Sequence, residues 1–144
     1  MKTFTHEIDI PLPAARAFPL FTPRGEEDWV PGWMPRYLAP EDGETAQGMI
    51  FTTGEGGDQT IWTCLEWEPD LLHARYFRAV PGNRVSIVDV RCAARSDTQT
   101  AVAVSYSHAA LGAEGQAYID AITDETYAAG IEEWRTLIEK AFLQ

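Results

Sequence analysis

The sequence predicts an α+β fold in which an antiparallel sheet of about six strands packs against one long C-terminal helix, with two short helices between strands 1 and 2. Over residues 113–144 apolar side chains recur at helical spacing. Tyr127, Ile131, Trp134, Ile138 and Ala141 share one face, with Leu137 at its edge, while Glu132, Glu133, Arg135, Glu139 and Lys140 fall elsewhere. Between residues 47 and 110 five strand-like runs follow one another through short turns, and strands joined by connections that short pair antiparallel. Nothing upstream matches the last helix in length, so its apolar face has to lie on the sheet.

The first strand spans residues 3–10, where Phe4, His6, Ile8 and Ile10 alternate with Thr3, Thr5, Glu7 and Asp9. Pro11 and Pro13 end it. Ala14, Ala17, Phe18 and Phe21 then fall on one side of a short helix over residues 14–21, which Pro19 kinks or shortens. Thr22 and Pro23 supply an N-cap and a first helical position for a second short helix, with Glu26, Glu27 and Asp28 near its positive end. Pro31, Gly32 and Pro35 forbid regular structure after it and leave Trp29 and Trp33 on a rigid loop, either as plugs of the core or as part of a pocket wall.

Residues 37–46 read as a polar connection. Strands follow over residues 48–53, 59–68, 71–80, 84–95 and 99–110, with turns at 55–58, 69–70, 81–83 and 96–97. In the last strand Val102, Val104, Tyr106 and His108 form one phase against Ala101, Ala103, Ser105, Ser107 and Ala109. The helical tail is expected to break near residues 121–124. Tyr118 and Ile122 fall opposite Tyr127 and Ile131 on an uninterrupted helix, and Thr123 with Asp124 offers a new cap.

The formal net charge is -11 and the basic residues are scattered, which argues against nucleic acid and against anionic membrane surfaces as partners. No run reaches the length of a membrane span, and the first ten residues alternate instead of forming a secretory leader, so a cytoplasmic address without membrane insertion is expected. Cys64 and Cys92 have no CxxC partner and read as free buried thiols. No cofactor is expected, because the glycines at 54, 56 and 57 stand between strands and not ahead of a helix. No metal is expected either, since His6, His73, His108, Cys64 and Cys92 match no ligand spacing.

The element order carries a resemblance, supported by the tryptophan loop from Trp29 to Trp33, a Tyr-x-x-x-Ala-Leu-x-x-x-Gly ending to the last strand from Tyr106 to Gly115, and Tyr127 with Trp134 on the last helix. The chain resembles the helix-grip fold of the START-like superfamily, also called SRPBCC, and its bacterial members in particular. That superfamily includes lipid-transfer domains, birch-pollen-allergen-like proteins, polyketide cyclases and relatives of the Hsp90 ATPase activator. The resemblance covers nearly all of residues 1–144 and implies one domain whose curved sheet grips the helix around a small-molecule cavity. The residues agree at one point: the helical stripe turns polar at Asp120 and Thr123, which a cavity would tolerate.

The expected partner is therefore a small hydrophobic or aromatic molecule, lipid- or polyketide-like, with homodimer formation left open. Candidate wall residues are Trp29, Trp33, Trp62, Tyr76 and Tyr106 from the loop and sheet, and Tyr127 and Trp134 from the helix, although more than half of such aromatics belong to ordinary cores. His108, Asp120 and Thr123 join them as polar candidates. A cyclase- or dehydratase-like reading uses His108 as acid or base, oriented by Asp120 or Tyr127; the simpler alternative is a hydrogen-bonded histidine without catalytic duty. Among Arg75, Arg78, Asp89 and Arg91, one strand phase faces inward, where an Arg–Asp pair would orient a ligand; the alternative places them on the solvated face. A third reading, a chaperone-associated interaction protein, requires a large exposed apolar patch.

Overall fold

The computed structural model describes residues 1–54 and 59–143. Strand β1 (Lys2–Ile10) leads into a helical turn, α1 (Ala14–Ala17), a 3-10 turn over Phe18–Phe21 that accommodates Pro19 near its start, and α2 (Pro23–Glu26). Six further strands follow: β2 (Arg36–Ala39), β3 (Ile50–Thr53), β4 (Thr60–Glu68), β5 (His73–Val80), β6 (Arg84–Ala94) and β7 (Thr100–Ala110). They form one seven-stranded sheet in the order β1-β7-β6-β5-β4-β3-β2, with every pairing antiparallel. The helices α3 (Ala113–Asp120) and α4 (Asp124–Phe142) complete the chain.

The sheet has one strand more than the sequence pattern suggested. The addition is β2, inside the segment read as irregular. It has four residues between Pro35 and Pro40 and no clear alternation, so nothing in its own pattern marks it as a strand. Its place at the sheet edge comes from pairing with β3 and from the Tyr37 ring, 6.0 Å from Phe51 and covered by Arg24 at 4.4 Å. β5 starts at His73 because Pro69–Leu71 makes a 3-10 turn that Leu72 closes in the left-handed region, at φ 54. The turn expected at residues 55–58 lies outside the described residues.

Strand register sets the face that matters. Cys64, Tyr76, Val88, Tyr106 and Phe4 form one row across the sheet, and Phe51, Trp62, Arg78, Ser86 and His108 form the next. These rows lie on the concave side, beneath α4. Thr123 and Thr126 close a capping box at the expected helix break, each accepting a bond from the other's backbone N–H. Ile131 and Ile138 are buried, Tyr127, Trp134 and Leu137 half-buried, and Ala141 is exposed near the helix end. Tyr127 fixes α4 to the sheet by stacking on Phe4 at 5.5 Å and donating to the Val104 carbonyl at 2.7 Å.

On the opposite face, the Arg75–Asp89 pair (3.1 Å) belongs to a cluster around His73. The His73 ring is fully buried, with Nδ1 2.6 Å from Glu68 and Nε2 2.8 Å from Asp89. Burial opposes its protonation, but the bonds to Asp89 and Glu68 outweigh burial and raise its pKa above 6.5. The stability this gives is fully present below the unfolded value and is lost as pH rises through the raised folded value. Urea denaturation at about pH 6 and about pH 9 is therefore expected to show the gap between wild type and His73→Gln narrowing at the higher pH; a constant gap would contradict the assignment.

Candidate functional site

The site is built from the short α2 segment upward. Thr22 caps it by accepting from the Gly25 N–H at 3.0 Å, and Pro23 takes the first helical position. Gly25 lets α2 seat directly on the preceding turn, since a Cβ there would lie 1.9 Å from the Pro19 carbonyl oxygen. The two loop tryptophans are then fixed by indole N–H bonds, Trp29 to the Leu20 carbonyl (2.7 Å) and Trp33 to the Pro23 carbonyl (2.9 Å). Their fates differ. Trp29 is buried in the core against Phe21 and Trp134, whereas Trp33 stands edge-on to Phe51 and Trp62, at 6.1 and 5.6 Å.

Between α2, this loop, the concave face of the sheet and α4 lies a cavity of about 230 Å³. Trp33, Trp62, Tyr76, Tyr106 and Trp134 line it, with Phe21, Val30, Phe51, Val88 and Val90 completing the apolar wall. Two charged residue types also reach it, Glu26 and Arg78. Among the described residues, the Glu26 carboxyl has no hydrogen-bond or ion-pair partner. Burial pushes its pKa from 4.5 up to about 8, so it holds its proton at neutral pH. The Arg78 guanidinium lies 4.8 Å from the Trp62 ring centre, and its Nε is buried without a partner. Burial raises the Tyr106 hydroxyl to about 12, with Arg78 acting to lower it and Glu26 to raise it, which puts this hydroxyl within reach of both fields.

A more open groove of about 430 Å³ shares Arg78, Tyr106 and Trp134 with the cavity and continues between β7 and the two C-terminal helices. His108 and Tyr127 line it. His108 is buried, with Nδ1 2.7 Å from the Ser86 hydroxyl; burial first, and then Arg84 and Arg78, bring its pKa down to about 4. It is a neutral imidazole at neutral pH. Asp120 is exposed and accepts from Gln116 at 2.9 Å, and Thr123 is exposed at the α4 cap; neither lines the cavity or the groove. His108, Asp120 and Tyr127 thus bond to Ser86, Gln116 and Val104 respectively, and no hydrogen bond joins any two of them.

Glu26 and Tyr118 were not singled out as site residues from the sequence, and Arg78 only as one of four strand charges. The metal-ligand atoms that come together among the described residues are those of Glu66, Glu68 and His73, within 4.8 Å of one another on the far face of the sheet. Both His73 nitrogens are hydrogen-bonded to carboxylates, so an ion bound there would have to displace the proton between Nδ1 and Glu68. No helix among the described residues is long and apolar enough to cross a membrane.

No protein-family model matches the chain, and no curated protein matches it in sequence. Solved structures do match in shape. Norcoclaurine synthase from Thalictrum flavum, determined in complex with dopamine and hydroxybenzaldehyde, superposes with a TM-score of 0.67 at 12% identity, over 96% of this chain and 87% of that one. A Thermobifida fusca protein solved by NMR gives 0.70 at 14% identity, over 99% and 96% of the two chains. The di-domain ARO/CYC protein BexL of the BE-7585A biosynthetic pathway gives 0.68 at 16%, over 96% of this chain and 47% of its own. Strand order, the helix laid across the concave face and these superpositions together identify the architecture: the chain has a helix-grip fold.

Proposed function

We propose that this chain binds a small aromatic molecule in the cavity between the sheet and α4. The observation that carries the reading is the aromatic wall, in which Trp33, Trp62, Tyr106 and Trp134 surround about 230 Å³ of space. An apolar cavity of about 150 Å³ holds a benzene ring, so this one suits a substituted ring or two small fused rings. A longer lipid- or polyketide-like ligand would have to pass Arg78 and Tyr106 into the groove. Enclosing a ring that buries roughly 150–250 Å² supplies about 4–6 kcal/mol before association costs, which corresponds to weak binding unless polar contacts add to it. The shared fold with norcoclaurine synthase, solved with two aromatic ligands, and with an ARO/CYC protein supports the reading.

A catalytic reading has one observation behind it, and that observation concerns Glu26. A carboxyl with a pKa of about 8 inside the cavity can exchange its proton near neutral pH, as a general acid–base group must. His108, at about 4, is a weak base there, and Asp120 stands outside the cavity.

Binding is tested by tryptophan fluorescence and calorimetry with one- and two-ring aromatics such as indole and 2-naphthol. Val88 is buried in the cavity floor, so Val88→Phe fills the space with a side chain of the protein's own. The expected outcome is at least about tenfold weaker binding by a variant that still unfolds cooperatively. Unchanged affinity in Val88→Phe would remove the cavity as the binding site.

A further inference from the structure

The formal charge of -11 makes carboxylates abundant, and most arginines that meet the protein surface find one. Arg24 pairs with Glu27, Arg75 and Arg91 with Asp89, Arg95 with Glu7 and Asp9, and Arg135 with Glu132. Among the described residues Arg16, Arg36, Arg78 and Arg84 do not, and of these four only Arg78 and Arg84 carry a buried Nε. Those two Nε atoms are the buried side-chain polar atoms left without a partner among the described residues. Arg84 is held over the Tyr118 ring at 3.5 Å, with one terminal nitrogen donating to the Asn83 side chain. Both arginines also line a polar recess with Thr60, Asn83 and Glu114, and Arg78 faces the aromatic cavity as well. Glu114, the acid of that recess, is exposed and forms no ion pair.

A buried guanidinium N–H has to recover its lost hydration from an acceptor, and an anionic one makes the stronger bond. Here Arg78 lines the aromatic cavity and Arg84 stands beside it in the adjoining recess, while the cavity's other charged residue, Glu26, is protonated at neutral pH and does not repel an anion. We propose that the cavity ligand is an aromatic acid, its carboxylate against Arg78 with Arg84 behind and its ring between Trp62 and Trp134 toward Glu26. A planar carboxylate matches the guanidinium fork, which lies over the Trp62 ring at 4.8 Å. Glu26 then offers a hydrogen bond to a hydroxyl or carbonyl at the far end of the ring. The inference rests on the binding function proposed above.

Calorimetry with 2-naphthoate and its neutral isostere 2-naphthamide tests it, at neutral pH and at low and high salt. The acid is expected to bind at least about tenfold more tightly, with the margin shrinking at high salt. In Arg78→Gln the margin should vanish, the acid losing at least about tenfold and the amide less. Equal wild-type affinities for acid and amide would overturn this inference and leave the binding function standing; binding of neither would remove both. A preference for the acid that survives Arg78→Gln would overturn the assignment to Arg78. The wild-type comparison decides the ligand class even if the variant fails to fold.

Discussion

Replacing Glu26 with glutamine is expected to raise stability by about 3 kcal/mol near pH 9 and to leave it almost unchanged below about pH 4.5. The sign follows from where each state holds its proton. The unfolded carboxyl ionises near 4.5, whereas the folded one keeps its proton to about 8 because burial disfavours the charge. Between those values the folded state binds more protons than the unfolded state, so stability falls as pH rises and levels off above about 8. A shift of that size corresponds to several kcal/mol, and water reaching a half-buried side chain reduces it to the figure given. The groups facing Glu26 across the cavity are Arg78 and the Tyr76 and Tyr106 hydroxyls, and burial keeps both tyrosines protonated throughout this range. On its own helix, Arg24 is paired with Glu27. Urea denaturation of both proteins across this range is the measurement, and a stability gap that did not widen with pH would show that Glu26 ionises freely. A carboxyl that lowers stability from the wall of a ligand-sized cavity is the kind of perturbed group that marks a candidate site.

The position of that carboxyl explains what the sequence could and could not reveal. Long periodic segments were readable because burial imposes its period on many residues at once. The sequence separated the two phases of β7, of which Val102, Val104, Tyr106 and His108 prove to face the concave side, and the stripe from Tyr127 to Ile138 identifies the buried face of α4. The helix break at Thr123 was readable because the capping chemistry is local. Glu26 had no such signal. It is one of three consecutive acids at the end of a four-residue helix, and which of them turns inward is set by how α2 seats on the turn at Pro19, a contact that no period encodes. Arg78 failed for a related reason. In the structure it shares the inner face of β5 with Ala74 and Tyr76, but the sequence left open which phase faces inward, and Arg75, Asp89 and Arg91 nearby suggested a charged outer face for the group. Alternation along β5 separates Arg78 from His73 and Arg75, and the register with β6 puts Asp89 opposite Arg75. Trp29 and Trp33 divided between core and cavity through the carbonyls their indoles reached, which are features of the folded loop and not of its sequence spacing.

Gly115→Ala is the substitution expected to damage the site from the outside, by about 3 kcal/mol or more. A Cβ at this position would lie 1.7 Å from the carbonyl oxygen of Asn83 and 2.6 Å from its carbonyl carbon. That backbone cannot withdraw easily, because the Asn83 N–H donates to Val80 at 3.0 Å and its carbonyl accepts from Leu111 at 2.8 Å, tying the β5–β6 turn to the end of β7. The helix has to move instead. α3 holds Tyr118 over Arg84 at 3.5 Å and beside His108 at 6.3 Å, and it buries Ile119, so lifting it uncovers the groove and frees the Arg84 guanidinium. The glycine that ends the Tyr106-to-Gly115 motif is therefore required by a close approach of two backbones. Gly130 supplies the contrast. It lies within α4, a Cβ there would meet nothing within 4 Å, and Gly130→Ala should stabilise the protein by about 0.5–1 kcal/mol through the lower entropy of the unfolded chain. Thermal unfolding of the two variants should give midpoints on opposite sides of wild type. A Gly115→Ala protein that melts with wild type would mean that α3 is not seated on the turn, and the groove wall it forms would have to be redrawn.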